Sequence, residues 1–476
     1  MDIDIEHQSD LLSPPAAFEF SLPVLVIGAG SCGLSAALAV RDLGVEVLVL
    51  ERDDSPLGSS AMSTGLIPAA GTPEQVAEGV DDSPAAFSAD IMAKTRGRAD
   101  AAVVARLAEQ SASTVAWLRD RHAIPLSLVD GFLYPGHSRR RMYGTPNRSG
   151  GELMGALQAA AAQAGADILT DAHVTRLYAD PDGRVRGVQV SRPDGSVEQI
   201  GCETLILACC GFGGNAAMVT EHIPEMAQAV YHGHPGNQGD AIRWGRALGA
   251  DLADMSGYQG HGGLAAGHGV PILWPLIMEG GFQVNLAGER FSNEALGYSE
   301  QAAKINAQAD RVAWSIFDER LHTLMLQFDD YHDALRAGAV LEAGSAAELA
   351  AVTGLPPEAL SATLVEVAGL VAGDASDRFG RNFTGKPPLT APFRAAKVTG
   401  ALFHTQGGLA VDVDARVLRA DGRPLPNLFA GGGAARGVSG PGAAGYIAGN
   451  GLLTATTLGR LAGEAAARQV LGQPDA

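Results

Sequence analysis

Near the start of the chain, the hydrophobic pattern changes from a continuous run to a helical period and back. A mainly apolar run at 22–28 predicts a buried strand. Apolar positions at helical spacing over 35–43 predict a helix that ends at Gly44, and a second strand is predicted over 45–50, just before Glu51. This order predicts a βαβ unit and therefore a parallel sheet.

The same helical spacing and short apolar runs predict further elements along the chain. Helices are predicted within 83–121, over 150–164, across the alanine-rich stretch 331–372, and over 451–470. Strands are predicted over 166–177, 185–192 and 204–208, with a turn at 180–183. The alternation of short apolar strands with helices indicates an α/β fold.

The pattern also divides the chain into units. Residues 1–20 are acidic and contain Pro14 and Pro15, which is typical of a loosely held arm, although such an arm can also pack on the body. Between about 231 and 395 histidine and tryptophan become more frequent, and after 396 short strands and glycine turns return. We therefore expect one domain built from 21–230 and 396–476, with 231–395 inserted into it.

Composition and charge exclude several classes of partner. Of 476 residues, 46% are hydrophobic and 18% charged, as in globular proteins, and the formal net charge is −19. Nucleic acids and anionic membranes require basic patches, and the densest basic run is Arg139 to Arg141. Four cysteines without paired spacing indicate no metal site, and no run approaches the roughly 20 apolar residues of a membrane helix. A cytoplasmic protein without membrane insertion is expected.

A dinucleotide fingerprint lies between the first predicted strand and helix. The sequence Gly28-Ala29-Gly30-Ser31-Cys32-Gly33 is a G-x-G-x-x-G, and Glu51 follows at the end of the next strand. Gly28 permits the tight turn, Gly30 lets a pyrophosphate approach the backbone, and Gly33 lets the helix and strand pack closely. The helix amides, beginning at Ser31, would bind the phosphates, and Glu51 the ribose hydroxyls.

A second glycine cluster near the C-terminus selects FAD over NAD. Residues 427–433 predict a strand and a glycine turn that includes Gly432 and Gly433, and Asn450 and Leu452 then open a helix. A flavin requires a second wall for its ribityl chain and ring, and amides at a helix start can hold its pyrimidine edge. NAD enzymes need no such return of the chain.

Six motifs in order resemble the fumarate reductase/succinate dehydrogenase flavoprotein superfamily, which includes soluble fumarate reductases and 3-ketosteroid Δ1-dehydrogenases. They are the two clusters above and the segments 58–65, 210–215, 288–294 and 404–408. The resemblance implies a Rossmann-like FAD domain of the GR2 type built from both chain ends, with an inserted α+β capping domain over the substrate. It also implies further FAD contacts from Arg52, Ser60, Ser63, Thr64, Gly65, Val174 and Gly211.

Two departures from the superfamily pattern concern the flavin. Membrane-bound members tether FAD through a histidine where this chain has Ser60, so the resemblance implies non-covalent FAD. The family's glutamate after the C-terminal glycine is Gly433 here, which leaves the ribityl contacts of that turn open.

The substrate residues match the fumarate reductases only in part. Arg290 and Glu294 match a proton-relay pair, while His404 and His261 match two substrate-binding histidines, although a histidine among glycines can equally be a loop contact. The acid arginine is replaced by Tyr298 and the second substrate arginine by Tyr446. Because a dicarboxylate needs both cations, fumarate reduction is not expected.

Tyr298 instead matches the ketosteroid dehydrogenase branch, where a tyrosine removes the proton beside a ketone. The turn before Gly442 also resembles that branch, where a glycine N–H binds the ketone oxygen. A further steroid-branch tyrosine is Val438 here, so Tyr446 or His404 is expected to polarise the carbonyl instead. Which of the two tyrosines is the base stays open, and either can be a packing residue.

The resulting expectation is FAD-dependent desaturation of a small cyclic ketone. Arg141 and Arg436 could bind a carboxylate on the ring, so both cyclohexanone-type and 4-oxocyclohexanecarboxylate-type substrates are consistent with the sequence. Oxygen, a quinone or another acceptor would take the electrons. The alternatives are an enoate or alkene reductase of the fumarate reductase type, a 3-ketosteroid dehydrogenase, and an electron-carrying flavoprotein that works within a complex.

Overall fold

The computed structural model describes residues 10–130 and 133–474 and contains two main sheets. The first sheet has nine strands, five of which run parallel as its core. In spatial order these five are Asp167–Leu169, Val47–Leu50, Phe20–Ile27, Val197–Leu207 and Pro424–Ala430. An antiparallel extension and two short strands complete the sheet, namely Val185–Ser191, His173–Ala179, Leu11–Leu12 and Arg416–Leu418.

The two ends of the chain meet in this sheet. Leu205 of Val197–Leu207 pairs with Leu428 of the C-terminal strand. The last helix, Asn450–Val470, packs on the first, Ser31–Asp42, so closely that a Cβ at Gly459 would lie 2.4 Å from Cys32 O. The Rossmann-like domain is therefore built from both ends of the chain, as predicted, and the first and last helices match the sequence prediction closely.

Some predicted elements differ in their bounds. The strand predicted over 166–177 is two strands, because the chain passes from the sheet edge at Asp167–Leu169 to the separate extension at His173–Ala179. The strand predicted over 204–208 is the buried end of Val197–Leu207. Residues 1–9 of the expected arm lie outside the described residues, and Leu11–Leu12 packs on the body as a short parallel strand.

Helices of the first domain cover the central sheet and its edge. The region predicted as helical over 83–121 is two helices, because Arg96 adopts a left-handed conformation and Asp100 caps the second helix by accepting from Val103 N. Besides Ser31–Asp42 and Asn450–Val470, the α-helices of this domain are Gly58–Ala61, Pro73–Ala77, Pro84–Thr95, Ala101–Ala116, Gly150–Gln163 and Ala216–His222, and Asp240–Ala247 follows at the start of the expected insertion.

A second, six-stranded sheet forms the inserted domain. Its strands are Val230–Tyr231, Tyr258–Ala265, Phe282–Val284, Val312–Asp318, Val340–Ala343 and Phe393–Thr405. Its α-helices are Pro275–Met278, Tyr298–Asn306, Glu319–Met325, Asp329–Arg336, Ala346–Thr353 and Pro357–Ala372. The strand Phe393–Thr405 crosses the expected boundary at 395, so this sheet extends into the segment assigned to the first domain.

Two smaller sheets complete the fold, and the second joins the inserted segment to the C-terminal part of the first domain. One pairs Ile67–Pro68, Met142–Gly144 and Ser127–Leu128, and the other pairs Leu252–Ala253 with Gly408–Leu409. Within 10–130 and 133–474, no helix has the length and apolar character needed to cross a membrane.

Candidate functional site

A deep cleft lies where the carboxyl ends of the parallel strands face the inserted domain. It encloses about 1840 Å³ of space, part of which is open to solvent. Gly28, Glu51, Ala208 and Gly432 each follow the end of a parallel strand and line one wall. Ligands bind at this position in open α/β sheets.

The N-terminal fingerprint has the geometry that a pyrophosphate requires. Gly28 has φ +100°, and a Cβ there would lie 2.6 Å from Ala208 O. A Cβ at Gly33 would lie 1.8 Å from Gly28 O, so Gly33 serves helix packing and does not line the cleft, whereas Gly30 and Ser31 do. The helix that begins at Ser31 has no side-chain cap, which leaves amide donors for an anion.

Glu51 and Arg52 form the outer end of this wall. Glu51 accepts from Ala29 N at 2.8 Å, which fixes its carboxylate beside the glycine turn. Arg52 Nη1 donates to Gly236 O at 2.9 Å, and its Nη2 lies 3.3 Å from His234 Nδ1. These contacts connect the first domain to the segment that enters the inserted domain.

The predicted segment 58–65 lies on the opposite side of the fingerprint. Ser60 Oγ lies 2.9 Å from Ser31 Oγ, and Ser63 and Thr64 line the cleft beside them. Gly65 does not line the cleft, since a Cβ there would lie 2.7 Å from Ser149 O, and it serves packing instead.

The C-terminal cluster supplies a further wall. Gly432, Gly433, Leu452 and, from the sheet extension, Val174 line the cleft. Gly211 and Asn450 do not line it in this structure, because Gly211 packs against Thr405 and Asn450 Nδ2 donates to Ser439 Oγ at 3.3 Å.

These walls fit FAD. The helix Asn450–Val470 begins at Gly449 without a side-chain cap, so two uncapped helix starts face the same cleft. Asn450 Oδ1, in the residue between the lining residues Gly449 and Gly451, is buried and has no hydrogen-bond partner in the structure. The start of the first helix would bind the phosphates of FAD, and the start of the last helix would hold the flavin ring, so the two helix starts match the two ends of the cofactor.

The inner end of the cleft is aromatic. Tyr298, Tyr446, His261 and His404 all line it, as the sequence predicted. The ring of Tyr298 lies 5.0 Å from that of His261 and 5.9 Å from that of Tyr446, between ring centroids. His261, Tyr298 and Tyr446 are thus brought into ring contact across up to 185 positions of the sequence, and His404 lines the same cleft beside Gly433.

Burial controls the protonation of these groups. It raises the pKa of Tyr298 well above its usual value, and the neighbouring, hydrogen-bonded Tyr446 raises it further. The pKa of Tyr446 is also raised by burial, although the Tyr298 hydroxyl and the amides of Gly449 and Gly451 oppose that rise. Within the pair, the negative charge of a phenolate is therefore better held on Tyr446.

The two histidines are neutral. Burial lowers the pKa of His261 to about 3 and that of His404 to about 4. His261 Nδ1 accepts from Gly263 N at 3.0 Å, so its proton lies on Nε2. Both rings can therefore act as neutral hydrogen-bond donors at neutral pH.

Gly442, Arg141 and Arg436 are among the predicted residues that do not line the cleft. Gly442 N donates to Ser256 O at 3.1 Å, so this amide is not available to a ketone oxygen. Arg141 is fully buried, and its Nε and Nη2 donate to Asp82 at 2.7 and 2.8 Å. Arg436 donates to Asp254 at 2.7 Å, so both arginines already have carboxylate partners within the protein.

The predicted relay pair forms a buried ionic network beside the cleft. Arg290 contacts Glu294 at 3.0 Å and Asp377 at 2.7 Å, and Arg381 donates to Glu294 at 3.1 Å. None of these residues lines the cleft. Arg381 Nη2 also donates to Ile277 O at 2.6 Å, so the network braces a helix of the cleft wall and does not contact Tyr298.

The cleft contains residues that the sequence did not single out. Tyr134, Trp274 and Phe403 enclose the inner end, and Asp330 lies there as well. Isolated aromatic residues outside a recognised motif carry no spacing signal, which is why the sequence pattern missed them. Among the described residues that line the cleft, Arg52 alone is an arginine or lysine, and it lies at the fingerprint end.

Comparisons with known proteins agree with this geometry. The family of FAD-binding domains matches residues 23–452. A probable fumarate reductase, Ifc3, of Shewanella frigidimarina is 31% identical over 454 residues, covering 94% of this chain and 75% of the relative. The chain also resembles the solved open conformation of a flavocytochrome c3 fumarate reductase, at 29% identity and a TM-score of 0.81, covering 96% and 80% of the two chains.

A second solved structure comes from the steroid branch. It is the 3-ketosteroid-Δ4-(5α)-dehydrogenase of Rhodococcus jostii RHA1 in complex with 4-androstene-3,17-dione, at 26% identity and a TM-score of 0.75, covering 95% of this chain and 98% of that one. The fingerprint, the C-terminal wall and these matches agree. The chain belongs to the FAD-binding family of the fumarate reductase/succinate dehydrogenase flavoprotein superfamily, near its ketosteroid branch, and is an FAD-dependent oxidoreductase.

Proposed function

We propose that the protein desaturates a small, neutral cyclic ketone of the cyclohexanone type. The observation that carries this proposal is the inner end of the cleft, which two tyrosines and two neutral histidines line and where the described lining residues include no arginine or lysine. A dicarboxylate such as fumarate would lie there without cationic partners.

The side chains suit removal of a proton next to a carbonyl. In our proposal the reactive form carries Tyr446 as a phenolate: Tyr298 takes the α-proton while its own hydroxyl proton passes to the Tyr446 oxygen, and the negative charge moves to the enolate. His404 and His261 donate hydrogen bonds to the developing enolate oxygen as neutral imidazoles. Bound FAD supplies the hydride acceptor for the β-carbon.

A carboxylate on the ring is not supported as a recognition element. Arg141 and Arg436, the two cations suggested for it, are paired with aspartates away from the cleft. Asp330 lies in the cleft, and burial with the nearby Asp333 and Asp329 raises its pKa to about 6, so it is largely ionised at neutral pH and would repel a second carboxylate. The neutral ketone is therefore preferred over 4-oxocyclohexanecarboxylate.

A substrate panel tests the proposal. The purified flavoprotein is incubated with cyclohexanone, 4-oxocyclohexanecarboxylate and a 3-ketosteroid, with an artificial acceptor, and the products are identified by mass spectrometry. We expect the cyclic enone from cyclohexanone, with a lower KM than for the carboxylate. Preference for the carboxylate would reject the neutral-ring assignment, and turnover of the steroid alone would assign the chain to steroid chemistry.

Alkene reduction is the second candidate, because several relatives at 29–31% identity are named as fumarate reductases. This candidate uses the same cleft in the opposite direction, with Tyr298 as proton donor. The reduced enzyme would then be reoxidised by an alkene. Since the inner cleft offers no cation, cyclohexenone would be the better oxidant if this reaction occurs, and fumarate the poorer one.

A further inference from the structure

A chain of buried polar side chains runs from the last helix to His404. Asn450 Nδ2 donates to Ser439 Oγ at 3.3 Å, Ser439 Oγ donates to Gln406 Oε1 at 2.9 Å, and Gln406 Nε2 lies 2.9 Å from His404 Nδ1. Asn450, Ser439 and Gln406 are each at most 2% exposed. Solvent therefore has little access with which to satisfy or reorient these groups.

The donor-to-acceptor direction of these hydrogen bonds determines which nitrogen of His404 carries the proton. Because Ser439 donates to the Gln406 amide oxygen, the amide nitrogen of Gln406 must face His404. An amide NH₂ group can only donate, so His404 Nδ1 must accept, and the single proton of the neutral ring lies on Nε2. Burial lowers the pKa of His404 to about 4, which keeps the ring neutral.

The protonated nitrogen lies at the cleft wall. A Cβ at Gly433 would lie 3.0 Å from His404 Nε2, so this nitrogen faces the glycine turn that lines the predicted flavin site. Cys210 Sγ lies 3.7 Å from the same nitrogen, and a thiol is only a weak hydrogen-bond acceptor. The Nε2 proton is therefore available to a stronger acceptor in the cleft.

We propose that Gln406, held by Ser439 and Asn450, is a positioning residue that fixes His404 in the Nε2–H tautomer, so that His404 donates to the substrate carbonyl oxygen. The part that concerns the carbonyl rests on the proposed function. The opposite tautomer would present a lone pair to the enolate oxygen, and the hydrogen bond that stabilises the enolate would be lost.

The test reverses the direction of the hydrogen bond between residue 406 and His404. In Gln406→Glu, an ionised carboxylate accepts from both Ser439 and His404, which requires the His404 proton on Nδ1. In Gln406→Leu, neither tautomer is held. Both variants are compared with the wild type as FAD-loaded protein labelled with ¹⁵N-histidine, whose nitrogen shifts distinguish the tautomers. His404→Asn identifies the His404 signals among the 12 histidines.

Asn215→Asp is a matched control, because it makes the same kind of amide-to-acid change. Asn215 caps a separate helix, Ala216–His222, where aspartate is an equally good cap. We expect Nε2–H in the wild type and in Asn215→Asp, Nδ1–H in Gln406→Glu, and a mixture in Gln406→Leu. An Nδ1 proton in the wild type, or unchanged His404 signals in both Gln406 variants, would overturn the inference.

Kinetics then connect the tautomer to the ketone. With cyclohexanone, we expect Gln406→Glu to lose about 10²–10³-fold in kcat, as when one oxyanion donor is removed, with KM changing much less. Gln406→Leu should lose much less, because part of its population keeps the Nε2–H tautomer. If the tautomer changes as expected but kcat does not, His404 does not donate to the carbonyl. If no ketone reacts with any of the proteins, the proposed function fails, while the nitrogen shifts still decide the role of Gln406.

Discussion

Tyr298→Phe removes the hydroxyl that we assign to proton abstraction and leaves the ring in place. The ring lies among His261, Trp274 and Tyr446, with centroids 5.0 to 6.1 Å away, so phenylalanine preserves the aromatic packing. A positioned general base contributes about 10²–10⁴-fold, which corresponds to about 2.7–5.4 kcal/mol of the activation free energy. We expect a loss of this size in kcat for ketone desaturation.

The hydrogen bond between the tyrosines sharpens this test. Tyr446→Phe removes the acceptor of the Tyr298 hydroxyl, so we expect a similar loss, and the double variant should lose little more than either single variant. The assay is the anaerobic rate of flavin reduction by ketone, with unfolding by urea as the control for folding. A loss of less than about tenfold in Tyr298→Phe would refute its role as base, and additive losses would refute the shared proton.

Three further predictions concern pH, stability and the flavin. Because the pKa values of Tyr298 and Tyr446 are raised, the proton-accepting form of the pair is a minor species at neutral pH. We therefore expect kcat/KM for the ketone to rise from pH 6 to pH 9 without a plateau. A bell-shaped profile centred below pH 7 would count against the pair. Arg141→Met leaves the carboxylates of Asp82 and Asp90 without their cation. We expect the free energy of unfolding, measured by urea denaturation, to fall by about 3–5 kcal/mol. A change in KM for a carboxylate ketone at unchanged stability would instead show that Arg141 binds substrate. Acid precipitation should release the flavin into the supernatant, whereas yellow colour in the pellet would show a covalent bond.

The fold could be predicted from the sequence because its signals are local. The apolar run, the glycine turn and the helix that follows Gly28 each occupy a few consecutive positions, and the C-terminal cluster repeats this arrangement near Gly432. The bounds were less accurate at 166–177, where one apolar pattern contains two strands. There the tertiary position of each strand, and not its periodicity, decides where it ends.

Sequence motifs identified several side chains that line the cleft, whereas the roles given to those side chains stay predictions. Tyr298, Tyr446, His261 and His404 all line it. The roles given to the arginines did not follow, because the partner of Arg436, Asp254, lies 182 positions away in the sequence, and no spacing in the chain indicates that pairing. Charge alone therefore could not show that these cations are already neutralised.

The central claim is that this cleft removes hydrogen from a neutral ketone. The most direct measurement is to mix the oxidised enzyme anaerobically with cyclohexanone and, separately, the reduced enzyme with fumarate, following the flavin absorbance in a stopped-flow instrument. The account predicts rapid bleaching by cyclohexanone with formation of the enone, and little reoxidation by fumarate. Persistent oxidised flavin with cyclohexanone, together with rapid reoxidation by fumarate, would contradict it.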